Sequence, residues 1–115
     1  MQNKLLPGTA SIKLSVTEGV FDVSPSDIIR LKACSNYTCI YFTNRRPMLI
    51  SKVLKEFQRV LDGYGFIRIH RTHLINRRYI NCIGTDGKIV MSDQSVAGVS
   101  KRMKQQVMKQ LAPAA

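Results

Sequence analysis

The sequence predicts a mainly β domain with two short helices, on three observations. Short runs rich in Val, Ile, Tyr, Phe and Thr, several of them alternating apolar and polar residues, recur between Gly, Pro, Asn and Asp punctuation. Only two stretches carry a helical apolar stripe. A chain of 115 residues with 33 Val, Ile, Leu and Phe can bury one core, and leaves no room for a second domain of ordinary size.

In chain order, residues 1–10 are expected to be a flexible N-terminal segment and 11–112 the folded domain. Ser11 to Val16 alternates at Ile12, Leu14 and Val16, and Val20 to Val23 follows Glu18-Gly19, which predicts a hairpin. Ser24-Pro25-Ser26-Asp27 is turn chemistry. Ile28 to Ala33 and Tyr37 to Thr43 are strands separated by Cys34-Ser35-Asn36, and Met48-Leu49-Ile50 extends the meander. Ser51 is expected to cap a helix whose stripe is Val53, Leu54, Phe57, Val60 and Leu61, and Gly63 and Gly65 stop it. Phe66 to His70 alternates again, with Ile67 and Ile69 on one face and Phe66, Arg68 and His70 on the other. Tyr79 to Ile83 is a strand, and Thr85-Asp86-Gly87-Lys88 turns into Ile89-Val90-Met91. Ser95 to Val99 precedes a closing helix capped by Ser100 and running to about Leu111, with Met103, Val107 and Leu111 on one face.

Charge is the outstanding compositional feature. Eighteen Lys and Arg against seven Asp and Glu give +11 and a pI near 10.1, a balance that commonly meets a polyanion. Residues 1–44 are near neutral, whereas 45–80 carry nine cations against two acids, and Lys101, Arg102 and Lys104 form a second focus. The outward cations of the first helix, Lys52, Lys55 and Arg59, are expected to be solvated. The longest apolar run, Cys39 to Phe42, is far short of the roughly 20 residues of a membrane span, and the N-terminus does not read as a signal peptide, so a cytoplasmic protein is the expectation. Cys34, Cys39 and Cys82 form no metal-ligand spacing and are expected to be reduced core thiols.

Catalysis finds no support: His70 and His73 lack an H-E-x-x-H pattern, no nucleophile elbow or phosphate loop occurs, and the acids are scattered singly. The expectation is a non-enzyme with no cofactor and no metal. The densest cluster of hydrogen-bond donors runs from Phe66 to Arg78, where a strand leaves the sheet. Within it Arg68 is expected to pack its stem and pair inside the fold. His70 is either a hydrogen-bonded, buried imidazole or a nucleic-acid contact. Arg71, one step past the alternation, is the better candidate for a base or phosphate, since its planar fork matches both.

This run, Phe66-Ile67-Arg68-Ile69-His70-Arg71-Thr72-His73-Leu74-Ile75-Asn76 followed by Tyr79-Ile80, resembles the hallmark F-x-R-x-H-R-S-x-x-V-N of the LytTR (LytR/AlgR-type) bacterial DNA-binding domains. Asp27 to Tyr37 is similar to the family's D-I-x-x-I-x-A-x-x-N-Y, Val53-Leu54-Lys55-Glu56-Phe57 to its helix, and Val99-Ser100-Lys101-Arg102 to its V-S-R-R. The resemblance spans about Ser11 to Leu111. Thr72, His73 and Gly98 depart from it, so sequence preference can differ from that of familiar members.

The resemblance implies an elongated set of small antiparallel sheets with two flanking helices, reading successive major grooves of double-stranded DNA through loops as a transcriptional regulator. It places those loops at Ser35-Asn36-Tyr37, at His70-Arg71 and at Lys101-Arg102. It also implies a homodimer on repeated half-sites and a receiver or sensor domain, outside this chain, as a partner. Two alternatives accommodate the same charge: a single-stranded nucleic-acid or RNA module, and a basic protein-interaction domain.

Overall fold

The computed structural model describes residues 11–16 and 18–111; the expected flexible segment 1–10 and the last residue of the expected domain, 112, lie outside them. The fold is mainly β, as expected. β1 (Ile12–Val16) and β2 (Gly19–Val23) form an antiparallel hairpin. A 3-10 turn at Pro25–Asp27 leads to β3 (Ile28–Cys34), β4 (Tyr37–Phe42) and β5 (Met48–Ile50). Helix α1 (Leu54–Val60) precedes β6 (Phe66–His70) and β7 (His73–Asn76). A second 3-10 turn, Arg77–Tyr79, precedes β8 (Ile80–Ile83), β9 (Lys88–Met91), β10 (Val96–Gly98) and helix α2 (Lys104–Leu111).

The centre is a five-stranded antiparallel sheet in the order β5-β4-β3-β7-β6, accompanied by the β1-β2 hairpin and a sheet β10-β9-β8. Its two faces feed two cores. Ile28, Leu31, Ile40 and Leu74 meet Leu14 and Val23 of the hairpin and Leu54, Phe57 and Leu61 around α1. Ile29, Ile67, Ile69 and Ile75 meet Ile89, Met91 and Ala97 of the smaller sheet and Val107 of α2. Side chains alternate across a strand, so covering both faces removes the polar half of the pattern. For that reason β7, His-Leu-Ile-Asn, carries no strand alternation in its sequence: Leu74 enters one core, Ile75 the other, and Asn76 is buried as well. Asn76 is satisfied there, its amide donating to the carbonyls of Ile28 (2.9 Å) and Pro25 (3.4 Å) while its oxygen accepts from the Arg78 amide.

Three further expectations are corrected. The residue before α1 is the extended Val53, so Ser51 is not its cap; Val53 and Val60 are exposed, and the buried face narrows to Leu54, Phe57 and Leu61. Val60 lies six residues beyond Leu54, roughly 240° around the helix axis and away from the sheet. A bulge between Arg68 and His70 pairs His70 with His73, on the face of Ile75, so His70 does not share the face of Arg68. The cysteines are free but none is buried: Cys34 ends β3 at the sheet's rim and Cys82 lies on the edge strand β8, both exposed, with Cys39 half-buried.

Candidate nucleic-acid interface

The candidate interface consists of turns that the five-stranded sheet projects at one end. Cys34 pairs with Tyr37 across the two-residue turn Ser35-Asn36, where Ser35 takes a positive φ of 58°, suited to the first position of a tight hairpin turn. Ser35, Asn36 and Tyr37 are all exposed. His70 pairs with His73 across the second turn, Arg71-Thr72. Because β3 and β7 are neighbours, these turns lie side by side, and the Ala33 amide donates to the Thr72 carbonyl at 2.9 Å.

The third connector comes from the far end of the chain. The Ser100 amide donates to the Ile69 carbonyl at 3.0 Å, one residue before His70, which moors residues 100–103 to the same end of the sheet. Ser100 Oγ accepts from the Met103 amide at 3.2 Å, so Ser100 caps the turn that enters α2. Lys101 and Arg102 are exposed in that turn, while Val107 is buried and Met103 and Leu111 pack beside it. Every residue singled out from the sequence, Ser35, Asn36, Tyr37, His70, Arg71, Lys101 and Arg102, therefore sits at one end of the molecule.

The second turn is held from beneath by Arg68. Its Nε donates to the His70 carbonyl at 2.9 Å, one terminal nitrogen to the Arg71 carbonyl at 2.6 Å, and the other to Gln58 Oε1 of α1 at 2.7 Å. The expected internal role of Arg68 is thus met by three charge-assisted bonds, two on the backbone that carries Arg71. Burial lowers its pKa from the ordinary value, yet a guanidinium stays charged in a protein. His70 is half-buried, and its Nδ1 accepts the Thr72 amide at 3.1 Å and lies 2.8 Å from Thr72 Oγ1. An Nδ1 that accepts from an amide carries no proton in the neutral ring, which leaves Nε2–H as the ring's donor. His73, with its ring centroid 5.7 Å from that of His70, has a lowered pKa because burial disfavours its charge, as do His70, Lys32 and Arg30.

Between the second turn and α2 lies an open depression of about 710 Å³, lined by Gln58, Arg68, His70, Arg71, Arg102 and Gln106 among others, with no carboxylate among the described residues of its wall. Such a wall attracts anions, and its amides and guanidinia can donate to phosphate or base edges. Two features were missed from sequence. Lys32 is exposed beside His73, and its outward position in β3 was the available signal. Gln58 and Gln106 join the site only through helix packing, which no local pattern announces.

Comparison with known proteins agrees with this architecture. The chain superposes on the LytTr DNA-binding domain of a Bacillus cereus protein described as a methyl-accepting/DNA response regulator, with a TM-score of 0.75, 24% identity, and coverage of 92% of this chain and 100% of that one. No curated protein matches. The family model of the LytTr DNA-binding domain matches residues 18–112. On that match the chain belongs to the LytTR family of DNA-binding domains.

Proposed function

We propose that this domain, residues 11–112, reads double-stranded DNA as the output module of a bacterial transcriptional regulator, entering major grooves with Ser35-Asn36-Tyr37, His70-Arg71 and Lys101-Arg102. The supporting observation is the mooring of two sequence-distant turns to a third by the Ala33 to Thr72 and Ser100 to Ile69 bonds, which gathers exposed cations on one end. Lys and Arg contacts to phosphate supply salt-sensitive affinity, while Arg71 and Asn36 supply base choice, Arg through a guanine edge and Asn through adenine. The protein acts in the cytoplasm without cofactor or catalysis, and binds repeated half-sites as a dimer under a receiver or sensor domain. No helix among the described residues is long and apolar enough to cross a membrane.

Selection of bound duplexes from a random library tests binding, preference and half-site spacing together. With the selected site, Arg71→Ala is expected to lose the preference over scrambled duplex, since a bidentate Arg–guanine pair discriminates by about 1–3 kcal/mol. Lys109→Ala, on an exposed position of α2 away from the turns, leaves the preference intact. Equal preference of Arg71→Ala and parent at one fixed salt concentration rejects the assignment. Tighter binding of the matching single strand replaces it with the single-strand reading.

A further inference from the structure

Four of the nine cations between residues 45 and 80 lie nowhere near the three turns. Antiparallel strands send successive connectors to opposite ends of a sheet. The β3-β4 and β6-β7 turns lie at one end, whereas the β4-β5 connector, with Arg45 and Arg46, and the segment after β7, with Arg77 and Arg78, emerge at the other. Seven residues of β3 separate the ends by roughly 20 Å, about a duplex diameter, so a duplex held by the turns leaves the far end free. All four arginines are exposed, and among the described residues none is in an ion pair.

The Ser24–Asp27 turn knits this end together. The Thr43 amide donates to the Asp27 carbonyl at 2.9 Å and Asn44 Nδ2 approaches Asp27 Oδ2 at 3.5 Å on one side; Asn76 bonds the Pro25 carbonyl and the Tyr79 hydroxyl the Ser26 carbonyl on the other. The Arg45 guanidinium lies 5.3 Å from the centre of the Phe42 ring, and Tyr64, 43% exposed, shares a shallow hollow with Arg77 and Arg78.

We infer that this arginine end is a second docking surface, for a protein whose contact face presents carboxylates. Composition favours a protein over nucleic acid. The cations are all Arg, flanked by an exposed Tyr, and Arg and Tyr are the residues enriched where protein interfaces concentrate their energy. The Asp27 carboxylate lies beside Asn44, next in sequence to the Arg45-Arg46 pair, and a uniformly charged phosphate backbone laid along this end meets it, whereas separately placed carboxylates avoid it. Each planar fork can also take a carboxylate bidentately.

The test uses the isotope-labelled chain and two fluorescent probes, a short Glu-Asp-repeat peptide and a random-sequence duplex, each titrated with amide shifts and anisotropy followed. The peptide is expected to shift amides of residues 44–47, 64–65 and 76–79. Arg77→Glu with Arg78→Glu weakens it by about tenfold at low salt while duplex affinity changes by less than about twofold. Peptide shifts confined to residues 35–37, 70–72 and 100–102, or none at the arginine end, overturn the inference. Stronger duplex shifts at the arginine end overturn it in favour of a second nucleic-acid surface. Neither result decides the sequence preference that Arg71→Ala tests at the three turns, so the two assignments fail separately.

Discussion

Replacing Arg68 by Met keeps the apolar stem and removes the side-chain donors that clamp the second turn to the sheet edge and to α1. The guanidinium makes three bonds, to the His70 and Arg71 carbonyls and to Gln58 Oε1, at 2.9, 2.6 and 2.7 Å. Taking about 1 kcal/mol net for each carbonyl bond and less for the bond to Gln58, Arg68→Met costs about 2 kcal/mol of stability. The turn itself survives, because His70 still pairs with His73 and Ala33 still bonds Thr72. What is lost is the fixed position of the Arg71 backbone. Re-ordering it on DNA costs about 1 kcal/mol, which lowers the ratio of selected-site to scrambled-duplex affinity about fivefold.

Urea unfolding measures the first quantity and competition binding at fixed salt the second. Arg68→Lys, with one point charge for three acceptors, falls between Met and parent in both. In an Arg71→Ala background Arg68→Met should still cost stability but take nothing further from the affinity ratio, because the two residues then act through one contact. A ratio that stays at the parent value while the urea midpoint falls refutes the positioning role, and an unchanged midpoint refutes the bond energies.

His73 makes stability depend on pH. Its pKa is lowered from 6.5 by burial and its charged neighbours, so between its folded value and about 6.5 the unfolded chain binds the proton more readily; stability is complete above about pH 6.5 and falls on acidification. His73→Phe flattens that portion of a melting-temperature profile, and an identical slope in the variant counts against it. Asp93 pairs with Arg30 at 2.9 Å across the two sheets, while Arg30 also lies 3.6 Å from the Tyr41 ring centre. Burial raises the Asp93 pKa, but the Ser95 and Arg30 bonds outweigh it and leave the group below its ordinary 3.8. Asp93→Ala is therefore expected to cost about 2 kcal/mol at neutral pH, the difference shrinking as acid protonates the parent carboxyl; a constant difference down to pH 2, roughly, contradicts this. Asn76→Ala strands two carbonyls and an amide, and a loss of about 2–3 kcal/mol in urea unfolding is expected, against which a near-neutral result would stand.

Much of the fold was legible because one-sided elements keep their period. Ile12, Leu14 and Val23 point inward and mark the first hairpin, and Gly63, Gly65 and Gly87 sit at positive φ where chain reversals were expected. Legibility failed where packing is two-sided or the backbone breaks step. β7 hides because both its faces are covered, and His70 changes face at a bulge that no residue type announces. Val53 and Val60 look like core because an apolar residue is compatible with a helix stripe whether or not the stripe is wide enough to use it. At the site, Asn36 owed its selection to the family resemblance alone, whereas Arg71 and Lys101 stood out from charge and position.

The charge census shows why a linear reading misplaces a surface. Counted along the chain, residues 45–80 form one basic block of net +7. In an antiparallel sheet, sequence proximity and spatial proximity are decoupled with the period of the strand. Arg71 and Arg77 are six residues apart and lie at opposite ends of β7, whereas Asn36 and Thr72 lie in adjacent turns because β3 and β7 pair. The field at the three turns is therefore smaller than the block suggests and rests on Lys32, Arg71, Lys101 and Arg102, with Arg68 committed to the backbone. A domain that binds DNA with so few free cations at these turns depends on holding them in place, and this one does so with the Arg68 clamp, the Thr72 carbonyl and the Ser100 mooring. The arginines at the other end are left for a different partner.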